Sequence, residues 1–352
     1  MLNGLPRILI IRLSAIGDVV RVLPALHALR DLHPHAQIDW AVEPKSANIL
    51  EGHPAIDRLV LFERPSGGKR AGWGAFWRFC REIRRSRYDI VVDFHGILKS
   101  GLAMAASGAR ERVAFAAPRG QEGSPLFANR RVKLSAARMN RIEENLELVK
   151  ALGAKRLNLD VLVDMPEEVR DSVDEWLSDK FHGGKWVVAI HAPVDRPEKQ
   201  WPLGHFAALA DLFLADGRFE VLLTWGPGQL ETAEAVRALA RRNPEIAPET
   251  SDLKHLARLL ERCDLFVGGD TGPMHIASAM NTPVVALFGG TDPRMHSPLR
   301  QPSTVLYAGK DAPEKAIDRS NGPALLAQIA PVQAYDAGIA LLKGNVPPPE
   351  NI

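Results

Sequence analysis

Short apolar runs of strand length alternate along the chain with longer segments of helical apolar spacing. In the first half the strand-like runs lie at Arg7–Leu13, Gln37–Val42, Arg58–Phe62 and Ile90–Phe94. The helical segments among them are Asp18–Asp31 and Trp73–Arg87. Strands that alternate with helices predict parallel βαβ units in a doubly wound α/β sheet.

The same alternation begins again in the second half. Strands are predicted at Trp186–His191, Phe219–Thr224, Leu265–Gly268 and Pro283–Phe288. Helices are predicted at Leu203–Asp216, Leu230–Arg242, Leu253–Cys263 and Met274–Met280. A charged helix at Met165–Lys180 separates the two series. We therefore expect two Rossmann-like domains, residues 1–160 and 161–322, that face a central cleft at the carboxyl ends of their strands.

The composition is that of an ordinary folded protein. Among 352 residues, 46% are hydrophobic and 24% are charged, which excludes a disordered chain. Two cysteines are too few for a disulfide framework or a four-cysteine zinc site. No apolar run has the roughly 20 residues of a membrane helix, and no secretory leader is recognisable. We expect a cytoplasmic protein that is at most peripheral to a membrane.

The net charge of +2 hides a basic first half and an acidic second half. Residues 1–160 carry a net charge of +10 and residues 161–352 a net charge of −8. Segment 64–87 concentrates arginine and interleaves it with Trp73, Phe76, Trp77 and Phe79. Such a segment suits a membrane surface or an anionic acceptor; a solvated amphipathic helix is the alternative. Nucleic acid is not expected, because no nucleic-acid-binding motif accompanies the charge.

The loop Ser14–Asp18 follows the first strand and opens the first helix. Asp18 is either a first-turn or capping carboxylate, favoured there by the helix dipole, or a general base in the cleft. Gly17 is the only glycine of this loop, so the loop lacks the G-x-G-x-x-G pattern of dinucleotide-binding folds. This speaks against a nicotinamide-dependent oxidoreductase.

The loop Gly268–His275 of the second half combines three glycines with Pro273. The helix that it opens presents backbone N–H groups suited to phosphate, and Asp270 or Thr271 is expected to cap that helix. The alternative is a well-capped helix in which His275 is only a packed side chain.

Two further residues of the second half are candidates for donor contacts. Lys199 follows the strand at 186–191 and is either an exposed loop lysine or the cation that neutralises a leaving diphosphate. Glu231 is either near a ribose or simply a first-turn glutamate. No set of metal ligands and no serine-nucleophile motif is recognisable, so we expect no metal.

Three segments resemble the glycosyltransferase family 9 heptosyltransferases. They are ILIIRLSAIGDVVRVLPALHALR at Ile8–Arg30, VVDFHGILKS at Val91–Ser100 and GGDTGPMHIASAMNTPVVALFGGTDP at Gly268–Pro293. The likeness covers nearly the whole chain and includes EKQWP at Glu198–Pro202. It implies a GT-B fold, with a helix in residues 323–352 that returns to the first domain before a short tail.

The resemblance also implies a reaction. Heptose is transferred with inversion from an ADP-heptose to a 3-deoxy-octulosonate (Kdo) residue on lipid A, at the cytoplasmic face of the inner membrane. Asp18 falls on the catalytic aspartate of the family. The donor residues implied are Lys199, Glu231, Asp270, Thr271, Gly272 and His275. Acceptor contacts are expected from Ser14, Gly17, Lys99, Arg138 and Arg141. We expect a monomer that needs no cofactor.

Other functions remain open from the sequence. A transferase of the same family that adds the second or a later heptose is the nearest alternative. A sugar-nucleotide epimerase uses the same two-domain fold and needs no acceptor. A lipopolysaccharide-binding protein without activity would not need the donor loop at 270–275.

Overall fold

The computed structural model describes residues 5–63, 68–250, 252–298, 302–311 and 319–343. The chain divides into two compact units, Met1–Asp164 and Met165–Ile352. Each unit is built on a six-stranded sheet with helices, and the strands pair in parallel, so the predicted α/β class is confirmed. Within the described ranges, no helix combines the length and the apolar character needed to cross a membrane.

The first unit is a doubly wound sheet. Its strands are β1 (Arg7–Ile11), β2 (Gln37–Val42), β3 (Arg58–Leu61), β4 (Ile90–Asp93), β5 (Glu111–Phe115) and β6 (Arg130–Val132). Its helices are α1 (Ile16–Val20), α2 (Leu23–Leu32), α3 (Pro44–Ala47), α4 (Gly68–Arg85), α5 (Leu98–Ser107) and α6 (Arg141–Leu152). The strand order is β3-β2-β1-β4-β5-β6, and Ile10 in the central β1 pairs with Trp40 on one side and Val92 on the other.

The predicted helix 18–31 is two helices in the structure. Pro24 lies in the first turn of α2 and cannot donate a backbone hydrogen bond to Val20, which ends α1. Because of this short break, Asp18 belongs to the separate short helix α1 and not to α2. The apolar pattern did not predict β5, β6, α5 or α6, because the two strands are short and partly polar and the two helices have weak apolar periodicity.

The second unit repeats this topology. Its strands are β7 (Trp186–His191), β8 (Phe219–Thr224), β9 (Glu245–Ile246), β10 (Leu265–Gly269), β11 (Val284–Phe288) and β12 (Ser303–Tyr307). Its helices are α7 (Glu167–Lys180), α8 (Leu203–Ala215), α9 (Leu230–Leu239), α10 (Leu253–Glu261), α11 (Gly272–Ala279), α12 (Pro293–His296), α13 (Gly322–Leu326) and α14 (Pro331–Lys343). The order β12-β11-β10-β7-β8-β9 is the same doubly wound arrangement.

The C-terminal helix differs from the expectation that it returns to the first domain. Helix α14 packs on α8 and on strands of its own unit. Ala334 and Leu342 are buried in that unit's core, and the Tyr335 ring lies 5.0 Å from the Phe213 ring. The helix therefore covers apolar surface of the second unit, and the residues after Lys343 lie outside the described part of the chain.

Close backbone packing holds the loop that carries Lys199. A Cβ atom added at Gly322 would lie 2.0 Å from the backbone oxygen of Glu198, and one added at Gly289 would lie 2.7 Å from the oxygen of Gly322. Trp201 is buried and donates from Nε1 to the oxygen of Ile329 at 3.1 Å. Glycine at 322 is therefore required by close approach of two backbones.

Gly322→Ala should lower the free energy of unfolding by about 1–3 kcal/mol, because the new methyl group overlaps a backbone oxygen that cannot rotate away. Gly204→Ala is the matched control, since its Cβ meets nothing within 4 Å in the first turn of α8. The control should be neutral or slightly stabilising. Chemical denaturation of both variants measures this, and equal stability of the two would contradict the packing described.

Candidate active site in two parts

The strand order creates one candidate site in each unit. In the first sheet the order reverses between β1 and β4, and in the second it reverses between β7 and β10. The loops after two such strands leave toward opposite faces of the sheet, so a crevice opens at their carboxyl ends. Asp18 follows β1, and Lys199 and Asp270 follow β7 and β10. The predicted catalytic and donor residues therefore lie at these reversal points.

Asp18 in the first turn of α1 is held by two arginines. It forms ion pairs with Arg12, from the end of β1, and with Arg21, at the end of α1. The arginine side chains are 9% and 7% exposed, whereas Asp18 is 31% exposed. Opposite charges this close favour the ionised carboxylate. The buried guanidinium groups thus fix a carboxylate that solvent can reach, and the cap position of α1 belongs to Ala15 instead.

His95 faces the same crevice from the loop after β4. Its Nδ1 accepts a hydrogen bond from the backbone N–H of Leu13 at 3.3 Å, so the ring carries its proton on Nε2. Burial, together with repulsion from Arg12, Arg119 and Lys99, lowers the pKa of His95 to about 3. His95 is therefore a neutral imidazole with an N–H to donate.

Asp93 shapes the loop that carries His95. One of its oxygens accepts from the backbone N–H groups of His95 at 2.9 Å and Gly96 at 3.1 Å, and the other accepts from the Ser100 hydroxyl at 2.8 Å. Burial raises the pKa of Asp93, and these hydrogen bonds oppose the rise. Gly96 has φ +72°, which a side chain would strain.

A third arginine extends the positive charge at this edge of the sheet. Arg119 donates to Glu144 at 2.7 Å, and Arg141 reaches the same carboxylate. Glu144 is buried, so it requires such partners. Burial lowers the pKa of Arg119, and Glu144 and Asp18 partly offset this. An arginine keeps its proton nonetheless.

The predicted acceptor residues differ in how closely they are linked to this charged cluster. Ser14 and Gly17 lie in the turn and helix that present Asp18. Lys99, in α5, acts electrostatically on His95 and lies 4.9 Å from the centre of the Phe62 ring. Arg141 joins the cluster through Glu144. Arg138 is exposed in the segment before α6, and its role stays a prediction.

Lys199 and Asp270 form the core of the site in the second unit. The Lys199 ammonium donates to the backbone oxygen of Asp270 at 2.8 Å and to its carboxylate at 2.7 Å. The Lys199 side chain is 24% exposed, so it is a positioned cation and not the exposed loop lysine of the alternative interpretation. An ammonium has three donors, and Asp270 accepts two of these hydrogen bonds.

Asp270 is a buried carboxylate with cationic surroundings. Burial alone would raise its pKa, but interaction with His275 and the charges of Lys199 and His296 hold the pKa of Asp270 below its usual range. His275 Nε2 lies 3.7 Å from the carboxylate, and both side chains are buried. His275 is therefore a partner of Asp270.

The predicted cap of α11 is only partly correct. Thr271 occupies the cap position, but its side chain makes no cap hydrogen bond and donates instead to the oxygen of Gly269 at 3.3 Å. The Asp270 carboxylate is committed to Lys199. Thr271 therefore leaves the first N–H groups of α11 without a side-chain cap. These are the N–H groups of Gly272 and Met274, because Pro273 has none.

Glu231 is separate from this pair. It is exposed in the first turn of α9, after β8. Within the described residues, no hydrogen bond or ion pair joins it to Lys199, Asp270 or His275. Because β8 is the neighbour of β7, Glu231 lies at the same edge of the sheet, and a ribose contact stays a prediction.

The sequence pattern did not single out five residues of the charged cluster around Asp18 and Glu144, which are Arg12, Arg21, His95, Arg119 and Glu144. Arg12 and His95 could have been found, because each directly follows the apolar run of a strand beside the order reversal. Arg119 lies in the turn after β5 and Glu144 lies in α6, and the pattern predicted neither β5 nor α6. In the part of the chain that the structure describes, no three His, Cys, Asp or Glu side chains come together as metal ligands.

Two doubly wound units of this kind, each built on a six-stranded parallel sheet, are the architecture of glycosyltransferases with the GT-B fold. Residues 76–324 match glycosyltransferase family 9 (heptosyltransferase). The chain belongs to this family and is a glycosyltransferase, related to enzymes of lipopolysaccharide biosynthesis.

Three individual proteins are similar to this chain over most of its length. Lipopolysaccharide heptosyltransferase 1 of Escherichia coli K12 is 28% identical over 308 residues, covering 82% of this chain and 89% of the relative. A family 9 glycosyltransferase structure from Veillonella parvula has a TM-score of 0.84 and 25% identity, covering 98% and 99% of the two chains. The structure of E. coli heptosyltransferase WaaC with ADP has a TM-score of 0.69 and 25% identity, covering 94% and 96%.

The neutral state of His95 can be tested by NMR. In protein labelled with 15N-histidine, the signals of His95 should keep the pattern of the neutral Nε2–H ring from pH 7 to pH 5, because its pKa lies near 3. His95→Asn assigns the signals and retains an acceptor near the Nδ1 position. In urea-unfolded protein the same residue should titrate near 6.5. Titration near 6.5 in the folded protein would contradict the description of the site.

Proposed function

We propose that the protein transfers heptose from ADP-L-glycero-β-D-manno-heptose to Kdo of the lipopolysaccharide inner core, as a heptosyltransferase I-like enzyme. One observation carries the proposal: Asp18, solvent-accessible and fixed by two buried arginines at a sheet reversal point. One carboxylate acting as a base is sufficient for a single inverting displacement, whereas a retaining enzyme needs a nucleophile in addition to an acid.

The acceptor step is proton removal by Asp18. As an acceptor hydroxyl oxygen bonds to the anomeric carbon, its proton passes to the Asp18 carboxylate. The bond from the anomeric carbon to the diphosphate oxygen breaks, ADP leaves with the electron pair, and the configuration inverts. Arg12 and Arg21 keep the carboxylate ionised and oriented. The neutral His95 offers an N–H at the same crevice to orient the acceptor.

The donor step depends on the second unit. Asp270 holds the Lys199 ammonium in place, and its third N–H is suited to a diphosphate oxygen. The open start of α11 adds backbone N–H donors for phosphate. Charge that develops on the departing ADP is then stabilised by groups already in position, so the proposal requires no metal or other cofactor. A relative of this chain has been solved with ADP, which supports the donor class.

An anionic acceptor fits the charge of the first unit. Arg12, Arg21, Arg119, Arg141 and Lys99 lie around two carboxylates, Asp18 and Glu144. The first 160 residues carry a net charge of +10. Kdo carries a carboxylate and lipid A carries phosphates, so such a surface attracts this acceptor. We further propose that the enzyme is a monomer and acts at the cytoplasmic face of the inner membrane.

Asp18→Asn should reduce turnover by about 10²–10⁴-fold, the usual contribution of a general base, while the Kd for ADP measured by calorimetry stays within about twofold. Lys199→Met is the matched contrast, because it should weaken ADP binding and kcat/KM together. Thermal unfolding shows whether each variant is folded. Undiminished turnover in folded Asp18→Asn would remove Asp18 from the mechanism.

A further inference from the structure

Helix α4 exposes two large aromatic side chains beside a row of arginines. Trp73 and Trp77, one turn apart, are 57% and 59% exposed. The opposite side of the helix is buried, with Phe76, Phe79 and Ile83 in the core of the first unit. These buried side chains anchor the helix, and large apolar side chains that stay as exposed as Trp73 and Trp77 mark an interaction surface.

The arginines lie on the same exposed side of the helix. At 100° per residue, Arg81 and Arg85 follow Trp77 around the helix, and Arg78 lies at the far edge. All three are exposed, and in the described chain none has a carboxylate within ion-pair distance. The acidic residue Glu82 lies beyond this edge and pairs with Arg58 at 3.4 Å. We call Trp73, Trp77, Arg78, Arg81 and Arg85 the α4 face.

A groove continues the α4 face toward α5. It has a volume of about 300 Å³ and is lined by Trp77, Cys80, Arg81, Arg84 and Ala106. Its lining is mostly apolar and includes two arginines, Arg81 and Arg84, of which Arg84 also donates to the backbone oxygen of Ser107 at 3.3 Å. This arrangement matches a phospholipid, which presents a phosphate directly above its acyl chains.

Packed rings connect the α4 face with the edge of the sheet that carries Asp18. Trp73 contacts Phe76 with ring centres 6.2 Å apart, and Phe76 contacts Phe62 at 6.1 Å. Phe62 follows β3, and Lys99 lies over its ring. A surface that binds the α4 face therefore lies next to the predicted acceptor edge of the same unit.

We propose that the α4 face is a docking surface for an anionic phospholipid bilayer. The tryptophans insert at the level of the headgroups, and the arginines bind lipid phosphates. Charge complementarity favours this partner. Interfacial helices are held by burial of apolar side chains and by attraction to anionic lipids, and a cationic helix with aromatic residues on one edge provides both. The inference deepens the proposed membrane location of the enzyme and rests on it for its biological role, but lipid binding can be measured without activity.

Vesicle flotation with the full-length chain tests the proposal. The probes are phosphatidylcholine vesicles with and without 30% phosphatidylglycerol, free of lipopolysaccharide. Binding should require the anionic lipid and weaken between 0.05 and 0.5 M salt. Arg78→Gln/Arg81→Gln/Arg85→Gln should lower the affinity by about fivefold for each arginine removed. Trp73→Ala/Trp77→Ala should lower it by about tenfold.

Matched controls lie on the second unit. Arg237→Gln/Arg241→Gln/Arg242→Gln removes the same charge from exposed positions, and Leu239→Ala truncates a side chain that is 58% exposed. Both should bind vesicles like the unaltered protein. Equal losses in the controls, equal binding to neutral vesicles, or tighter arginine-dependent binding to duplex DNA would each overturn the proposal.

Activity measurements distinguish a failure of the docking proposal from a failure of the proposed function. On a delipidated, water-soluble Kdo acceptor, the α4-face variants should turn over at the rate of the unaltered protein. Loss of their turnover in solution would assign the face to acceptor binding and overturn the docking role. If the unaltered protein binds anionic vesicles but transfers no heptose, the proposed function fails and the docking surface stands.

Discussion

The order reversal of a parallel sheet is the constraint on which the candidate site depends. Two neighbouring strands send their chains to opposite faces, so the backbone groups at their carboxyl ends face a crevice. In the first unit, the crevice between β1 and β4 collects Asp18 and His95. In the second, the crevice between β7 and β10 collects Lys199 and Asp270. The same topology used twice thus produces one carboxylate-centred and one ammonium-centred site.

Burial of charge determines what each site can do. A buried ion is costly unless it is paired, and in both crevices a buried charge holds an accessible partner of the opposite sign. Arg12 and Arg21 are buried and present Asp18, whereas Asp270 is buried and presents Lys199. The first arrangement suits proton removal from an acceptor, and the second suits an anionic leaving group. Asp18 and Lys199 are both held in ion pairs within their own unit, which is the condition that the proposed electrostatic catalysis requires.

The sequence predicted the α/β class and the two series of strands and helices, because central parallel strands are continuous apolar runs such as Val284–Phe288. The candidate loops were predicted because they follow these strands. The sequence did not predict the side-chain contacts of the candidate site. The pairing of Lys199 with Asp270 joins residues 71 positions apart, and Arg119 meets Glu144 through elements without strong periodicity. The return of the C-terminal helix to the first domain was implied by the family resemblance alone, whereas α14 packs on the second unit.

Acceptor-dependent ADP release is the decisive measurement for the proposed heptose transfer to Kdo. Purified protein is given ADP-L-glycero-β-D-manno-heptose with Kdo-lipid A, with Kdo-lipid A that already carries one heptose, or with no acceptor. We expect ADP release, and a product heavier by one heptose, only with Kdo-lipid A. Release only with the heptosylated acceptor would contradict the assigned acceptor. Conversion of the donor without any acceptor would contradict transfer itself.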